Sequence, residues 1–388
     1  MGRVEVVSLR DLERISKERT DSKGGWDFVD GAAFDEVTKR RNESKFEEVT
    51  INPRFLADVG DRDHSTTILG EKIEFPVMVA PAGGQRQHHP EGERATAMGA
   101  GMAGTLYALP TGSGYSIEEV AEVATGPLWF QLYHSHDEIT EILVKRAKSA
   151  GYKAICLTVD VPTNGAKEKD HKHDFVRNEG LHGGSFKDLP DRLRSIRGSS
   201  SRDFADWDPD QNGYSGLTWD RLDWLKSLTD LPLVVKGIRT VQDALLCAEY
   251  GVDGIVVSNH GGRQIDRTLS SIETLAPIAN AVGDRVEIYL DSGVRRGADV
   301  FAALALGARG VFVGRPLFWG LSYNGAEGVR LMLDILRSEF DRALSYCGFR
   351  DISEIKPSPP IVAILSHRTT VDIPIITPGN KTGIIETE

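Results

Sequence analysis

"VEIYLDSGVRRGADVFAALALGARGVFVGRPLF", residues 286–318, contains two apolar runs separated by a helical segment. The first run ends in Asp291 and Gly293, and the second ends in Gly314 and Arg315. Strand-like runs that are apolar on both faces and alternate with helices are typical of a parallel sheet buried on both sides. This stretch therefore predicts one repeat of an α/β fold.

The same unit recurs along the chain. A helix signal follows several of the runs, such as the capping box expected from Ser116 and Glu119. Eight units over roughly 250 residues is the count for a (β/α)8 TIM barrel, and a doubly wound open sheet is the alternative, although no GxGxxG motif supports it. The eight runs are 75–83, 104–110, 128–135, 154–162, 231–238, 254–262, 286–293 and 310–318.

The remaining segments predict the domain organisation. We expect an N-terminal helical cap over residues 1–70 and the barrel over 71–355. Residues 163–217, rich in charge, glycine and serine, form an excursion after the fourth strand that predicts a lid. The Pro-punctuated, β-branched stretch 356–388 predicts a C-terminal arm that packs on a neighbour or a subunit.

Composition excludes several classes of protein. The chain has 388 residues and a net charge of −11, whereas a nucleic-acid-binding surface would need the opposite sign. Its three cysteines form no CxxC pair, which indicates buried thiols in a reducing compartment. Since no apolar run approaches the ~20 residues of a membrane span and the N-terminus lacks a signal-peptide pattern, we expect a soluble cytoplasmic protein without a transmembrane segment.

Polar residues follow the ends of all eight predicted strands. Each one alone is as well explained by a capping or turn role, but together they favour an active site, which a TIM barrel builds at this end. Glycines and arginines in the last two βα loops predict a phosphate site. The strand-end residues are Gly83, Thr111, Gln131, Tyr133, Thr158, Asp160, Lys236, Ser258, His260, Asp291, Gly293, Gly314 and Arg315, with Arg295 in the seventh loop.

The motif "SNHGGRQ", residues 258–264, resembles the signature of the FMN-dependent α-hydroxy acid oxidase/dehydrogenase family, which includes glycolate oxidase, lactate oxidase, lactate monooxygenase and mandelate dehydrogenase. Further matching motifs follow in the family's order, so the likeness extends over residues 26–355. They are "DGAAFDEVTKRRN", "HPEGE", "FQLY", "LTVDVP", "VVKGI", "LDSGVRRGADVFAALALGA" and "VGRP".

The resemblance implies that FMN binds across the mouth of the barrel. Lys236 would then stabilise negative charge on the reduced flavin. The residues that the resemblance assigns to the cofactor are Ala82, Gly83, Gln131, Thr158, Lys236, Ser258, Asp291, Gly293, Arg295, Gly314 and Arg315.

The resemblance also implies catalytic roles. His260 would be the general base, which suits an imidazole because its ordinary pKa lies near neutrality. Asp160 would orient that ring, Tyr133 would hydrogen-bond the substrate oxygen, and the planar fork of Arg263 would clamp a carboxylate. The implied partners are a small-molecule substrate, O2 or another electron acceptor, and further copies of the chain in a homotetramer.

Four positions depart from the family's usual site. Val29 stands where a tyrosine hydroxyl is usual, and Gly112 stands where an aromatic residue is common. Gly83 replaces an alanine near the flavin N5, and Lys167 replaces a second arginine. These changes predict a substrate bulkier than glycolate or lactate, bound by Arg263, Tyr133, Lys167, Val29 and Gly112.

The same residues are compatible with other functions. The substrate could be a C–OH or C–NH centre that lacks a free carboxylate. A non-redox, phosphate-binding isomerase or aldolase could use Lys236 as a Schiff-base nucleophile, and a flavin-binding protein could have lost its substrate chemistry. No metal site is predicted, because His171 and His173 are better explained by a solvated loop.

Overall fold

The computed structural model describes residues 6–20, 23–172, 183–194, 217–355 and 362–364. The lid predicted over 163–217 and the arm predicted over 356–388 therefore lie partly outside the described residues, and His173 lies outside them. In the part of the chain that the structure describes, no helix is both long enough and apolar enough to cross a membrane.

The N-terminal segment is helical at first and then forms short strands. Helix α1 begins at a capping box in which Ser8 and Asp11 satisfy each other's backbone N–H groups. The boundary predicted at residue 70 falls between two strands of one hairpin, so the cap and the barrel are continuous there. The elements are α1 Leu9–Arg19, α2 Lys23–Asp30, α3 Val37–Glu47, β1 Val49–Ile51, β2 Thr66–Ile68 and β3 Glu71–Ile73.

Eight parallel strands close into a barrel, which confirms the predicted TIM-barrel fold. Each predicted apolar run contains one of them. In order around the barrel from the first strand, every strand pairs with the next in sequence, and the last pairs with the first. The strands are β4 Val77–Val79, β5 Tyr107–Pro110, β6 Leu128–Leu132, β7 Ala154–Thr158, β8 Leu233–Ile238, β9 Gly254–Val257, β10 Glu287–Leu290 and β11 Gly310–Val313.

Helices follow the strands on the outside. The predicted capping box is present, since Ser116 Oγ accepts from Glu119 N at 3.1 Å and the Glu119 carboxylate accepts from Ser116 N at 2.8 Å. The helices are α4 Gly92–Met102, α5 Ile117–Ala121, α6 Asp137–Ser149, α7 Glu168–Lys172, α8 Asp191–Arg194, α9 Arg221–Leu228, α10 Val241–Glu249, α11 Ser271–Val282, α12 Gly297–Ala305 and α13 Arg315–Cys347.

Large side chains fill the N-terminal half of the barrel interior. Trp129 packs edge-on to Tyr289, with ring centroids 5.4 Å apart, and Phe312 lies beside both rings. The β2–β3 hairpin adds Ile68 and Ile73 to the same buried cluster and so closes this end. Because side chains alternate along a strand, the next inward positions lie at the opposite end of the barrel, where the polar residues stand.

Part of the predicted C-terminal arm pairs with the chain's own N-terminal segment. Strand β12, Val362–Ile364, is antiparallel to β1, with Val49 opposite Ile364. The described residues of the arm therefore pack within the same protomer, and the rest of 356–388 lies outside the described residues.

Candidate active site

Five buried polar side chains occupy the inward positions at the C-terminal ends of the barrel strands. They are only 0 to 6 % exposed, so each needs a partner inside the protein. Lys236 Nζ lies 3.1 Å from a carboxylate oxygen of Asp291 and 3.0 Å from Ser258 Oγ. Gln131 Nε2 donates to Thr158 Oγ1 at 3.0 Å. The contacts form two groups of predicted site residues, and these groups are neighbours because Thr158 and Lys236 are paired residues of β7 and β8.

Lys236 carries a fixed positive charge in this cluster. Burial by itself would lower its pKa, but the carboxylates of Asp291 and Asp160 raise the pKa above its ordinary value. A Schiff-base lysine must be neutral to attack a carbonyl group. The surroundings of Lys236 therefore favour an electrostatic role over a nucleophilic one.

His260 and Asp160 form a hydrogen-bonded pair at the barrel mouth. The ring Nδ1 of His260 lies 2.9 Å from Asp160 Oδ1. Burial would raise the pKa of Asp160, but the neighbouring His260 and Lys236 hold it below its ordinary value. Asp160 is thus an anion that accepts the Nδ1 proton, which leaves Nε2 as the ring nitrogen that can take up a proton.

The loop that carries His260 is tightly turned. His260, Gly261 and Gly262 all have positive φ, at 57°, 65° and 76°. Ser258 Oγ accepts from His260 N at 3.1 Å, and Ser292 Oγ accepts from Gly261 N at 2.9 Å. These contacts fix the turn that carries the imidazole at the C-terminal end of β9.

Arg263 is anchored to the C-terminal end of α2. Its Nη1 donates to the carbonyl oxygens of Phe28 at 2.7 Å and Gly31 at 2.8 Å, and its guanidinium lies 5.2 Å from the centroid of the Phe28 ring. Val29, the position at which the family's tyrosine is usual, lies in one buried cluster with Phe28 and Phe318. The ring that faces Arg263 is that of Phe28, the residue before Val29, and the assignment of Val29 to the substrate site stays a prediction. Neither side chain has a hydroxyl.

Three arginines concentrate positive charge beside the last two βα loops. Arg315 donates to the carbonyl oxygens of Val29, Gly31 and Gly261. Burial and the charges of Arg263 and Arg295 lower the pKa of Arg315 to about 9. Helices α12 and α13 follow the neighbouring strands β10 and β11, and helix N-termini add further positive potential. The predicted phosphate site is thus a strongly cationic corner of the barrel mouth.

Arg295 has one anionic partner in this corner. Its Nη2 lies 3.0 Å from a carboxylate oxygen of Glu43, on α3, and its guanidinium lies 5.2 Å from the Trp319 ring. Its buried Nε has no hydrogen-bond partner among the described residues. A buried donor without a partner is costly, so Arg295 is prepared to bind an acceptor.

The loops after β4 and β5 meet at two glycines. A side chain on Gly83 would lie 3.2 Å from the Gly112 carbonyl oxygen, whereas a side chain on Gly112 would meet no described atom within 4 Å. Open space therefore lies next to Gly112. The neighbouring Ala82 carbonyl accepts from Gln85 Nε2 at 2.8 Å, which fixes the backbone of the first loop.

Tyr133 and Lys167 lie at the rim, both half-buried. The backbone N–H of Tyr133 donates to Thr111 Oγ1 at 3.0 Å. Lys167 Nζ donates to the Gly165 carbonyl at 3.1 Å, and Gly165 N in turn donates to Gln264 Oε1 at 2.8 Å. The base of the excursion after β7 is therefore joined to the loop that carries His260.

Sequence reasoning missed the contribution of α3. Asn42 bonds Asn259 through a buried pair of amide groups, and Asp266 accepts from the N–H groups of Val37 and Thr38 at the start of the helix. The only local signal was the asparagine between Ser258 and His260, which a strand-end pattern does not distinguish from a turn residue.

Comparisons with known proteins agree with this architecture. Residues 17–361 match the family described as FMN-dependent dehydrogenase. Glycolate oxidase 3 from Arabidopsis thaliana is 43% identical over 353 residues, which cover 91% of this chain and 95% of the relative. L-lactate oxidase from Nostoc sp. is 41% identical, covering 91% of this chain and 97% of the relative.

A solved structure of mandelate oxidase with (S)-2-phenylpropionate superimposes with a TM-score of 0.81 at 37% identity, covering 91% of this chain and 97% of that one. Family match, relatives and fold agree with one another over most of the chain. The protein therefore belongs to the family of FMN-dependent dehydrogenases, and it is an oxidoreductase whose cofactor is FMN.

Proposed function

We propose that this enzyme oxidises the CH–OH group of a 2-hydroxy acid with a side chain larger than that of glycolate or lactate, giving the 2-keto acid. The observation that carries the proposal is the His260–Asp160 pair, 2.9 Å apart beside the buried cation of Lys236. Relatives and structural neighbours named as oxidases of glycolate, lactate and mandelate support the substrate class, since all three are 2-hydroxy acids.

The residues at the barrel mouth fit FMN. Its phosphate would offset the burial of Arg315 and its repulsion by Arg263 and Arg295, which together lower the pKa of Arg315, and would give the buried Nε of Arg295 an acceptor. FMN held there would supply the acceptor for the two electrons that the substrate loses. The residues that would hold it are Ala82, Gly83, Gln131, Thr158, Lys236, Ser258 and Asp291, with Gly293, Arg295, Gly314 and Arg315 at the phosphate.

The side chains of this chain would divide the remaining work. Arg263 binds the substrate carboxylate, and Tyr133 hydrogen-bonds its hydroxyl oxygen. His260 Nε2 takes up one of the two protons that the CH–OH group loses as it becomes C=O, and Asp160 stabilises the resulting imidazolium. Lys236 stabilises the negative charge that arrives with the electrons.

The shape of the site supports a larger substrate. The absence of a side chain at Gly112 leaves open space beside the loop after β5. Gly83 lets the loop after β4 approach it closely, because a Cβ there would lie 3.2 Å from the Gly112 carbonyl oxygen. Phe28 gives the substrate side of Arg263 an aromatic surface without a hydrogen-bond donor. The absence of a hydroxyl on Phe28 also favours a second candidate substrate, a C–OH or C–NH centre that lacks a carboxylate. Without that hydroxyl, Arg263 has no hydrogen-bond donor from Phe28 beside it to help bind an acid.

Two other functions receive no support. A non-redox enzyme acting through Lys236 would need a neutral amine, whereas Asp291 and Asp160 raise the pKa of this lysine. A flavin-binding protein without substrate chemistry would have no need for an ionised Asp160 held 2.9 Å from His260.

A substrate panel tests the proposal. FMN-loaded enzyme is mixed anaerobically with glycolate, lactate, mandelate, phenyllactate and mandelamide, and loss of flavin absorbance near 450 nm is followed. We expect the aryl acids to reduce the flavin at least about tenfold more efficiently than glycolate. Efficient reduction by glycolate would contradict the size argument, and reduction by mandelamide alone would favour the carboxylate-free candidate. Peroxide on return of O2 would identify O2 as the acceptor.

We further propose a cytoplasmic homotetramer. The three free cysteines, Cys156, Cys247 and Cys347, are all buried, which suits a reducing compartment but does not require one. Light scattering of the FMN-bound enzyme should give four times the protomer mass, and a monomer mass would contradict the assembly.

A further inference from the structure

The loop that carries His260 is held from outside the barrel by α3. Asn42, on α3, donates from Nδ2 to Asn259 Oδ1 at 2.8 Å and accepts from Asn259 Nδ2 at 2.7 Å. The two side chains are 2% and 4% exposed, and they are 217 residues apart in sequence. A buried amide pair in which both groups donate and accept fixes the orientation of each partner.

Asn259 transmits this orientation to the turn. Its Oδ1 also accepts from Gly262 N at 3.2 Å, which spans His260 and Gly261. His260 has a φ of 57°, a conformation that a histidine keeps only where its surroundings impose it. Asn42 also packs against the predicted phosphate loop. Its backbone carbonyl oxygen lies 2.2 Å from the position that a Cβ atom on Gly293 would occupy.

We propose that Asn42 is a positioning residue for the oxidation. It acts through Asn259 to hold the His260 turn in its left-handed conformation, and so keeps the imidazole on Asp160 with Nε2 toward the substrate. The inference rests on the proposed function of His260 as the base.

The alternative is that Asn42 only attaches α3 to the barrel. The adjacent Arg41 provides a matched control, since its guanidinium makes two bonds of 2.6 and 2.5 Å to Glu273 on α11. Arg41→Gln removes an attachment of the same helix without touching the His260 turn.

The experiment compares Asn42→Ala and Asn42→Leu with Arg41→Gln, all loaded with FMN. Stopped-flow reduction by the best substrate gives the limiting rate constant and the substrate Kd, and amide hydrogen exchange reports on residues 259–263. We expect the Asn42 variants to be reduced about 10- to 100-fold more slowly, with both substrate and FMN Kd within about twofold of wild type. Exchange in the turn should be faster in these variants, and Arg41→Gln should change neither quantity.

Equal reduction rates in the Asn42 and Arg41 variants would overturn the proposal. If no substrate reduces the wild-type enzyme, the proposed function fails, but hydrogen exchange still tests the role of Asn42. Unchanged exchange of residues 259–263 in the Asn42 variants would overturn the positioning role. Should neither variant fold, Asn42→Ser is judged by the same two measurements.

Discussion

Asp160 is a common neighbour of Lys236 and His260. Its interactions with them determine which of these side chains are charged. The carboxylates of Asp160 and Asp291 raise the pKa of Lys236, so the lysine remains a cation despite its burial. His260 and Lys236 in turn keep Asp160 ionised. In the proposed function, this arrangement gives a fixed positive charge beside the cofactor and an oriented base beside the substrate, which is the polarity that oxidation of a CH–OH group needs.

Substitution of Phe28 tests whether Arg263 binds the substrate carboxylate. Phe28→Tyr adds a hydroxyl beside Arg263, and a hydrogen bond to a charged substrate group is worth about 1.5 kcal/mol, so KM for a 2-hydroxy acid should fall about tenfold. The matching amide substrate, which has no carboxylate, serves as the control and should gain little. Steady-state kinetics measures both, and an equal gain for acid and amide would mean that the hydroxyl does not act on the carboxylate.

The starts of α12 and α13 form the cationic corner, and two glycines there have different surroundings. Gly293 has a φ of 104° and its side-chain position is blocked by the Asn42 carbonyl. At Gly314 the nearest atom to that position is Ala80 Cβ, at 4.0 Å, so an alanine fits the protein itself. The two positions therefore separate effects on the fold from effects on the cofactor.

We expect Gly314→Ala to leave the Tm of the cofactor-free protein within about 2 °C of wild type while weakening FMN binding about tenfold. Gly293→Ala should lower both the Tm and the affinity for FMN, because its Cβ would displace Asn42 and thus α3. Thermal unfolding and flavin fluorescence titration provide the measurements. Unchanged FMN affinity in Gly314→Ala would remove this glycine from the proposed phosphate site.

Glu93, in the first turn of α4, makes the stability of the protein depend on pH. It is fully buried, and burial raises its pKa to about 7, although the backbone near Gly114 and Gln85 opposes the rise. Since the folded protein binds this proton more tightly than the unfolded chain, the contribution of Glu93 to stability is greatest below its ordinary pKa and is lost as pH rises through 7.

Glu93→Gln should abolish the loss of stability between pH 4.5 and pH 8 that Glu93 causes. The variant and wild type should have similar unfolding free energies near pH 4.5, and the variant should be more stable at pH 8 by up to about 3 kcal/mol. Denaturant unfolding at the two pH values tests this. A difference that does not grow with pH would show that Glu93 is ionised and paired in the folded state.

At the scale of the whole molecule, the barrel follows from local patterns. Each strand is a short apolar run before a polar or glycine residue, and each run could be located because a parallel sheet buries both of its faces. The gathering of Gln131, Thr158, Lys236 and Ser258 follows from the same rule, since the ends of all strands meet at one rim.

The contacts that cross the molecule were not predictable in this way. The pairing of β1 with β12 and the amide pair of Asn42 and Asn259 join segments that have no local signal for each other. The contact between Phe28 and Arg263 has a similar cause, because only the rotation of α2 shows which side chain faces this arginine.

The most direct test of the account is the reduction of the flavin in His260→Asn. Asparagine tolerates the left-handed conformation at this position better than alanine does, so the turn should persist. We expect the variant to remain yellow, with an FMN Kd near that of wild type, and its anaerobic reduction by the best substrate to slow about 10³-fold. Reduction within about tenfold of the wild-type rate would show that His260 is not the base.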